Sequence, residues 1–283
     1  MSRPFTLGAV AYDRKVVDIW EGFKAWFATR DFAFDYVLYS NYERQVEGHF
    51  RGEMDVAWNS PLAWIEAERI AARLGWAARA VAMRDSDCDL TSVIIVAADS
   101  PIRSLSDLRG KRIAVGASDS PQATLIPLQL VREAGVAPGK DAAVLPHEIH
   151  VGKHGDHVGG EREAVRTMKR GDADAACVID GNLLAFTRDG EIVAGSTRVL
   201  AVTPPYDHCN FTVLDGADEE KVARFTALLL AMSYADETVR PLLDMEGLKE
   251  WRVGRTVGYA QLAAACDATG IIDGFIERVA QEA

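Results

Sequence analysis

Cysteine is scarce: the 283 residues hold only Cys88, Cys177, Cys209 and Cys266, widely spaced and without a CxxC pair. That spacing argues against a disulfide framework and fits a chain kept reduced. Positive charge is also short, with 31 Lys and Arg against 42 Asp and Glu for a net charge of −11. Nucleic acid and anionic membrane surfaces need a basic face to displace counterions, so neither is an expected partner. No apolar run approaches the roughly 18 residues of a membrane span. The start, Met1-Ser-Arg-Pro-Phe-Thr6, reaches the apolar Leu7 to Val10 without the charged, apolar and small-residue segments of a secretory signal. The expectation from that start is a cytoplasmic chain, or a periplasmic one if a signal has been removed. Gly-x-Ser-x-Gly, GxxxxGK[ST] and GxGxxG motifs are missing as well, which leaves the common hydrolase and nucleotide-binding signatures without support.

What is present is enough apolar residue, 48%, to build a full core of one large domain or two ordinary lobes. Leu7 to Tyr12 reads as a buried strand, and Ile19, Trp20, Phe23 and Phe27 form one helical stripe. Strands are expected at Tyr36 to Tyr39, Asp55 to Trp58, Ser92 to Val96, Arg112 to Val115 and Ala173 to Ile179. Helices are expected at Tyr42 to Phe50, Leu62 to Leu74, Glu163 to Lys169 and, after the cap residues Ser118-Asp-Ser-Pro121, as far as Ala134. The last third, from Glu219, reads as mostly helix. Alternating β and α elements predict an α/β protein with largely parallel sheets, and ligands at the C-terminal ends of strands.

Several of those elements carry a family pattern. Tyr39-Ser-Asn-Tyr-Glu43, Asp55-Val-Ala-Trp-Asn-Ser-Pro61, Ser104 to Val115, Ser118 to Pro127 and Gly171-Asp-Ala-Asp-Ala-Ala176 occur in the order seen in the phosphate/phosphonate branch of the periplasmic solute-binding proteins, which the chain resembles from Leu7 to about Leu214. The resemblance implies a two-lobed periplasmic-binding-protein-like fold: two mostly parallel sheets flanked by helices and joined by two crossing strands. Lobe one would be residues 1–94 and 202–283, and lobe two residues 95–201. It also implies a small anionic ligand of the phosphate, phosphonate or carboxylate class held in the interdomain cleft, and a transporter as partner if the chain is exported. Carried over position by position, the ligand-binding residues would be Ser118, Ser120, Gln122, Ala123 and Thr124, with Asn59 and Ser60 in the cleft wall. Amides and hydroxyls at a helix start suit an oxyanion, although an ordinary N-cap explains the same serines. Tyr12 and Asp180, at strand ends, join the candidates; a Tyr at a sheet edge is more often packing.

The pattern breaks at four histidines within eleven residues: His147, His150, His154 and His157, in a stretch rich in glycine. Imidazole and carboxylate are the usual ligands of zinc, iron or manganese, so His154 and His157, with Asp156 and Glu161, could supply a partial metal shell, and His208 could complete it. An alternative function follows: a cytosolic metal-dependent lyase, decarboxylase or hydrolase on the same scaffold, with His154, His157, Asp156 and Glu161 as catalytic groups and Asp180 as another proton acceptor. The simpler reading is a solvated loop in which His154 or His157 touches an anionic ligand directly. Cys209 beside His208 resembles a thiol with its base, but neighbours in an extended strand face opposite sides. Cys177 reads as an inert core thiol.

Overall fold

The computed structural model describes residues 3–156 and 158–283. In chain order the first elements are β1 (Phe5–Val10), α1 (Lys15–Ala28), β2 (Phe34–Tyr39), α2 (Tyr42–Phe50), β3 (Val56–Asn59), α3 (Pro61–Leu74) and β4 (Ala78–Arg84). Then come β5 (Ser92–Ala97), β6 (Arg112–Val115), a π-helical turn (Pro121–Leu125) running into α4 (Ile126–Glu133), β7 (Ala143–Pro146), α5 (Gly159–Lys169), β8 (Ala175–Ile179), α6 (Asp180–Arg188) and β9 (Thr197–Val202). The remainder is β10 (Asn210–Leu214), α7 (Glu219–Leu230), α8 (Arg240–Glu246), β11 (Trp251–Val253), α9 (Ala260–Thr269) and α10 (Asp273–Glu282).

The chain divides into two compact units. The first comprises Met1–Cys88, Asp207–Tyr259 and Gly270–Ala283; the second comprises Asp89–Tyr206 and Ala260–Thr269, so that α9 belongs with the second. Each unit is built on one sheet, ordered β11-β4-β10-β3-β1-β2 in the first and β7-β6-β8-β5-β9 in the second. The sheets are mixed rather than mostly parallel. β2-β1-β3 and β7-β6-β8 are parallel, as βα alternation requires, whereas β10, β4 and β11 pair antiparallel, as do β5 with β8 and β9. Direction in those strands is set by partners far away in sequence, which local periodicity cannot encode.

The core of the first unit grows from the α1 stripe. Ile19, Trp20, Phe23 and Phe27 are all at most 3% exposed. Phe27 packs against Phe34 at 4.7 Å between ring centroids, and Phe211 meets Phe225 edge-on at 5.1 Å. Each such ring contributes roughly 2–3 kcal/mol by leaving water. Gly8 lets the sheet accept Met54: a Cβ there would run into the Met54 sulfur. Where the C-terminal end of β3 meets the first half of α2 the packing turns polar. Gln45 Nε2 donates to Asn59 Oδ1 (2.8 Å), Asn59 Nδ2 to Thr212 Oγ1 (2.9 Å), Thr212 Oγ1 to Asn210 Oδ1 (2.7 Å), and Asn210 Nδ2 to Tyr259 Oη (2.9 Å). Tyr259 Oη in turn donates to the His208 carbonyl at 2.7 Å. A buried chain of this kind fixes the relative positions of α2, β3 and β10 because each member left unpaired would cost desolvation energy.

His49, near the end of α2, is buried, and burial pushes its imidazole down to about 3. The unfolded chain therefore takes up a proton near pH 6.5 that the folded chain refuses. The stability this neutral ring confers is complete above pH 6.5 and is lost as the pH falls from there towards 3. Urea unfolding between pH 7.5 and 4.5 is expected to show falling stability in the wild type and a flatter profile in His49→Phe; parallel profiles would show that another group carries the acid sensitivity.

Candidate functional site

In the second unit the C-terminal ends of β6 and β8 and the start of β5 bring polar residues to one edge of the sheet. β6 ends at Val115, and the chain turns through Gly116 into Ser118-Asp-Ser120 before the π-helical turn. Ser120 Oγ accepts from the Ala123 amide at 3.2 Å, the N-cap arrangement expected of Ser before Pro. Thr124 Oγ1 donates back to the Ala117 carbonyl at 2.8 Å, folding the loop on itself. The widened first turn is seated on the sheet by Ser92. Its hydroxyl donates to the Gln122 carbonyl (2.6 Å) and so accepts from Tyr206 Oη (2.7 Å). Burial holds the Tyr206 phenol far above its ordinary range, so it stays a proton donor.

Ser118 engages an anion of the chain itself. Its backbone N–H and its hydroxyl both donate to one carboxylate oxygen, Oε2 of Glu148, each at 3.1 Å. Glu148 lies just beyond β7, beside His147, whose amide donates to the Gly116 carbonyl at 3.1 Å. The Asp119 carboxylate receives the Gly152 amide at 2.5 Å, and Gln122 Nε2 donates to the Gly155 carbonyl at 2.6 Å. The glycine-rich loop from His147 is thereby tied to the helix start at three points. His150 and His154 both adopt positive φ, 58° and 48°, a region open to few side chains other than Asn, Asp and His. His154 is fully buried, with a ring nitrogen within 4.8 Å of an Asp119 carboxylate oxygen.

The other sequence candidates fall as follows. Gln122, Ala123 and Thr124 are buried in the π-helical turn. Asp180 begins α6 and accepts from Thr91 Oγ1 at 2.6 Å. Glu161, 2% exposed, accepts the Ile179 amide and the Asn182 side chain, each at 2.9 Å, and so ties α5 to the end of β8. Asp156 lies in the loop, and its amide donates to the Lys153 carbonyl. His157 lies outside the described residues. His147, half-buried, is bonded to Thr167 and pushed below its ordinary value by burial.

Tyr12, Asn59, Ser60 and His208 belong to the first unit. Ser60 caps α3 by accepting from the Ala63 amide (3.2 Å), with Pro61 at the first helical position. Asn59 is part of the buried polar chain. Tyr12 is partly buried against the core, with Lys15 5.8 Å from its ring centre. His208 has partners that the sequence did not suggest: its Nδ1 lies 3.2 Å from Asp87 Oδ1 and 3.1 Å from Cys209 Sγ. The expectation that His208 and Cys209 face opposite sides is corrected here. β10 begins only at Asn210, so strand alternation does not apply to the two residues before it. Arg84 grips Asp87 through both carboxylate oxygens, at 2.5 and 3.0 Å, and also bonds Glu246. Burial alone would raise the Asp87 carboxyl, but Arg84 and His208 hold it down at about 2. Asp87, His208 and Cys209 bring ligand-type atoms within 4.8 Å, yet the guanidinium already spans the carboxylate.

Sequence reading missed Glu148 and the Arg84–Asp87 pair. Glu148 stands among histidines, whose spacing points to metal chemistry instead. Arg84 and Asp87 have ion-pair spacing, but His208 is joined to them only by the fold.

A family model described as "ABC transporter, phosphonate, periplasmic substrate-binding protein" matches residues 9–254. The chain belongs to that family. No curated protein matches it. Among solved structures, PhnD1 of Prochlorococcus marinus (MIT 9301), in complex with methylphosphonate, is similar with a TM-score of 0.68 at 18% identity, over 94% of this chain and 98% of that one. XAC2383 of Xanthomonas citri, bound to chloride ion, gives 0.68 at 17% identity over the whole of both chains. The aliphatic sulphonate binding protein SsuA of Escherichia coli gives 0.56 at 15%, over 99% of this chain and 91% of that one. At such identities these structures establish the α/β fold. The expectation of a cytoplasmic chain finds no support in a family of periplasmic proteins, and neither the metal-binding reading nor the metal-dependent enzyme gains any from the comparisons. No helix among the described residues is long and apolar enough to cross a membrane.

Proposed function

We propose that this chain is the substrate-binding component of an ABC transporter and takes up a small oxyanion, a phosphonate or a close chemical relative, at the Ser118–Thr124 loop. The observation that carries this reading is the Ser118 pair of donors closing on the Glu148 carboxylate. A backbone amide and a hydroxyl aimed at one oxygen form an anion receptor, and here the anion comes from the chain itself. Ser120, which accepts from Ala123, keeps its own O–H proton to give. Thr124 has already given its proton to Ala117, so its role is to shape the loop. Family membership, the methylphosphonate of one similar structure and the aliphatic sulphonate in the name of another support the same ligand class. With an overall charge of −11, attraction to the anion must come from these local donors and not from the protein's overall field. The family's name also supports a periplasmic place of action, with the transporter as partner.

Glu148 acts in this reading as a built-in competitor. An incoming oxyanion must displace it, so the apparent affinity is reduced by the fraction of molecules in which Ser118 is free. Glu148→Gln is expected to bind methylphosphonate about tenfold more tightly by calorimetry, corresponding to a free fraction of about one tenth in the wild type. Unchanged or weaker binding would remove Ser118 from the site.

A further inference from the structure

A cavity of about 280 Å³ lies in the first unit at the end of the sheet away from Asn59 and His208. It is bounded by the start of β1, the end of α2, the turn before β3, and the segment after β10. These are the N-terminal ends of the parallel strands, whereas ligands of open α/β sheets sit at the C-terminal ends. Its volume approaches that of small-molecule pockets.

Three features of its wall point to one kind of occupant. Phe50 and Trp76 stack with ring planes 17° apart and centroids 6.1 Å apart, and Trp76, although an indole, is 41% exposed at the mouth. His49, only 5% exposed, lines the cavity, and its Nδ1 has no hydrogen-bond partner among the described residues. A buried ring nitrogen without a partner forfeits a hydrogen bond that a bound molecule would restore. At the rim Arg3 is paired with Asp55 at 2.7 Å, and Asp215 accepts the Ala77 amide, so the local charge sum is one carboxylate in excess. That sum disfavours an anion.

We propose that this cavity is a second binding site, separate from the oxyanion loop, for a small flat aromatic molecule that is neutral or cationic and carries one polar ring edge. Its ring stacks on Trp76 and its polar edge meets the His49 imidazole. Burial keeps the His49 imidazole neutral at ordinary pH, so the contact is a hydrogen bond between uncharged groups.

Benzimidazole is a suitable probe because it both donates and accepts, and so matches either tautomer of His49. In the full chain, titration followed by NMR is expected to shift the Trp76 and His49 ring signals saturably, with a dissociation constant of about 0.1–3 mM, as befits a fragment of this size. Benzoate should bind at least about tenfold more weakly because of the rim charge. His49→Phe should weaken benzimidazole about tenfold or more, as the polar contact is lost. Trp76→Leu, at an exposed position where the fold is not at stake, should weaken it to a similar degree. Methylphosphonate binding should be unaltered in both variants. Absence of saturable shifts, equal binding of benzoate, or unchanged benzimidazole affinity in Trp76→Leu would overturn the proposal.

Discussion

Asp87→Asn is expected to destabilise the protein by about 3–5 kcal/mol, a large share of the stability of an ordinary domain. Asp87 is 2% exposed and receives two hydrogen bonds from Arg84 and a contact from His208. Replacing one carboxylate oxygen by an amide presents N–H groups to a guanidinium or an imidazole that also offers N–H groups, and leaves Arg84 with Glu246 as its remaining buried counter-charge. The cost is that of a stranded charge more than of a lost contact. Equilibrium urea unfolding monitored by tryptophan fluorescence measures it. A loss under about 1 kcal/mol would mean that water or Glu246 compensates, and that the cluster does not hold β4 against the segment before β10.

Gly155→Ala is expected to weaken oxyanion binding by about 10- to 100-fold while leaving the secondary structure in place. Gly155 has φ of 80°, where a non-glycine residue pays roughly 1–2 kcal/mol. A Cβ at this position would also lie 2.5 Å from Ser120 Oγ and collide with the Gln122 side chain. The chain can relieve the overlap only by moving the loop away from the helix start, which displaces the Ser120 hydroxyl and breaks the Gln122–Gly155 bond. Methylphosphonate calorimetry with circular dichroism as a check on folding reads both effects. Wild-type affinity in this variant would show that the glycine-rich loop and the Ser120 hydroxyl are not part of one site.

Much of the first unit was legible from local patterns. The α1 stripe is buried as its spacing predicts and the helix expected from Leu62 is present; in the second unit, Cys177 is a fully buried core thiol, pushed far above its ordinary value by burial. Legible too was the helix after Ser118, although the π-helical first turn was not, because it depends on Ser92 and Tyr206 gripping Gln122 from other strands. The order of family-like segments identified the family, as the match over 9–254 shows. What the sequence could not disclose are side-chain meetings across long separations. Glu148 reaches Ser118 over thirty residues, Arg84 meets Glu246 over 162, and Trp76 stacks on Phe50 while remaining exposed. The first two are fixed by how β-strands far apart in sequence pair, the third by how α2 packs on α3, and periodicity is silent on both.

The most direct measurement is isothermal titration of methylphosphonate into the wild-type chain and into Ser118→Ala/Ser120→Ala, after removal of any ligand carried through purification. Saturable binding near one molecule per chain, weakened about 10- to 100-fold in a variant that still folds, is the predicted result, in keeping with the loss of donors to a charged group. Binding that the double substitution leaves untouched would contradict the assignment of the oxyanion to this loop.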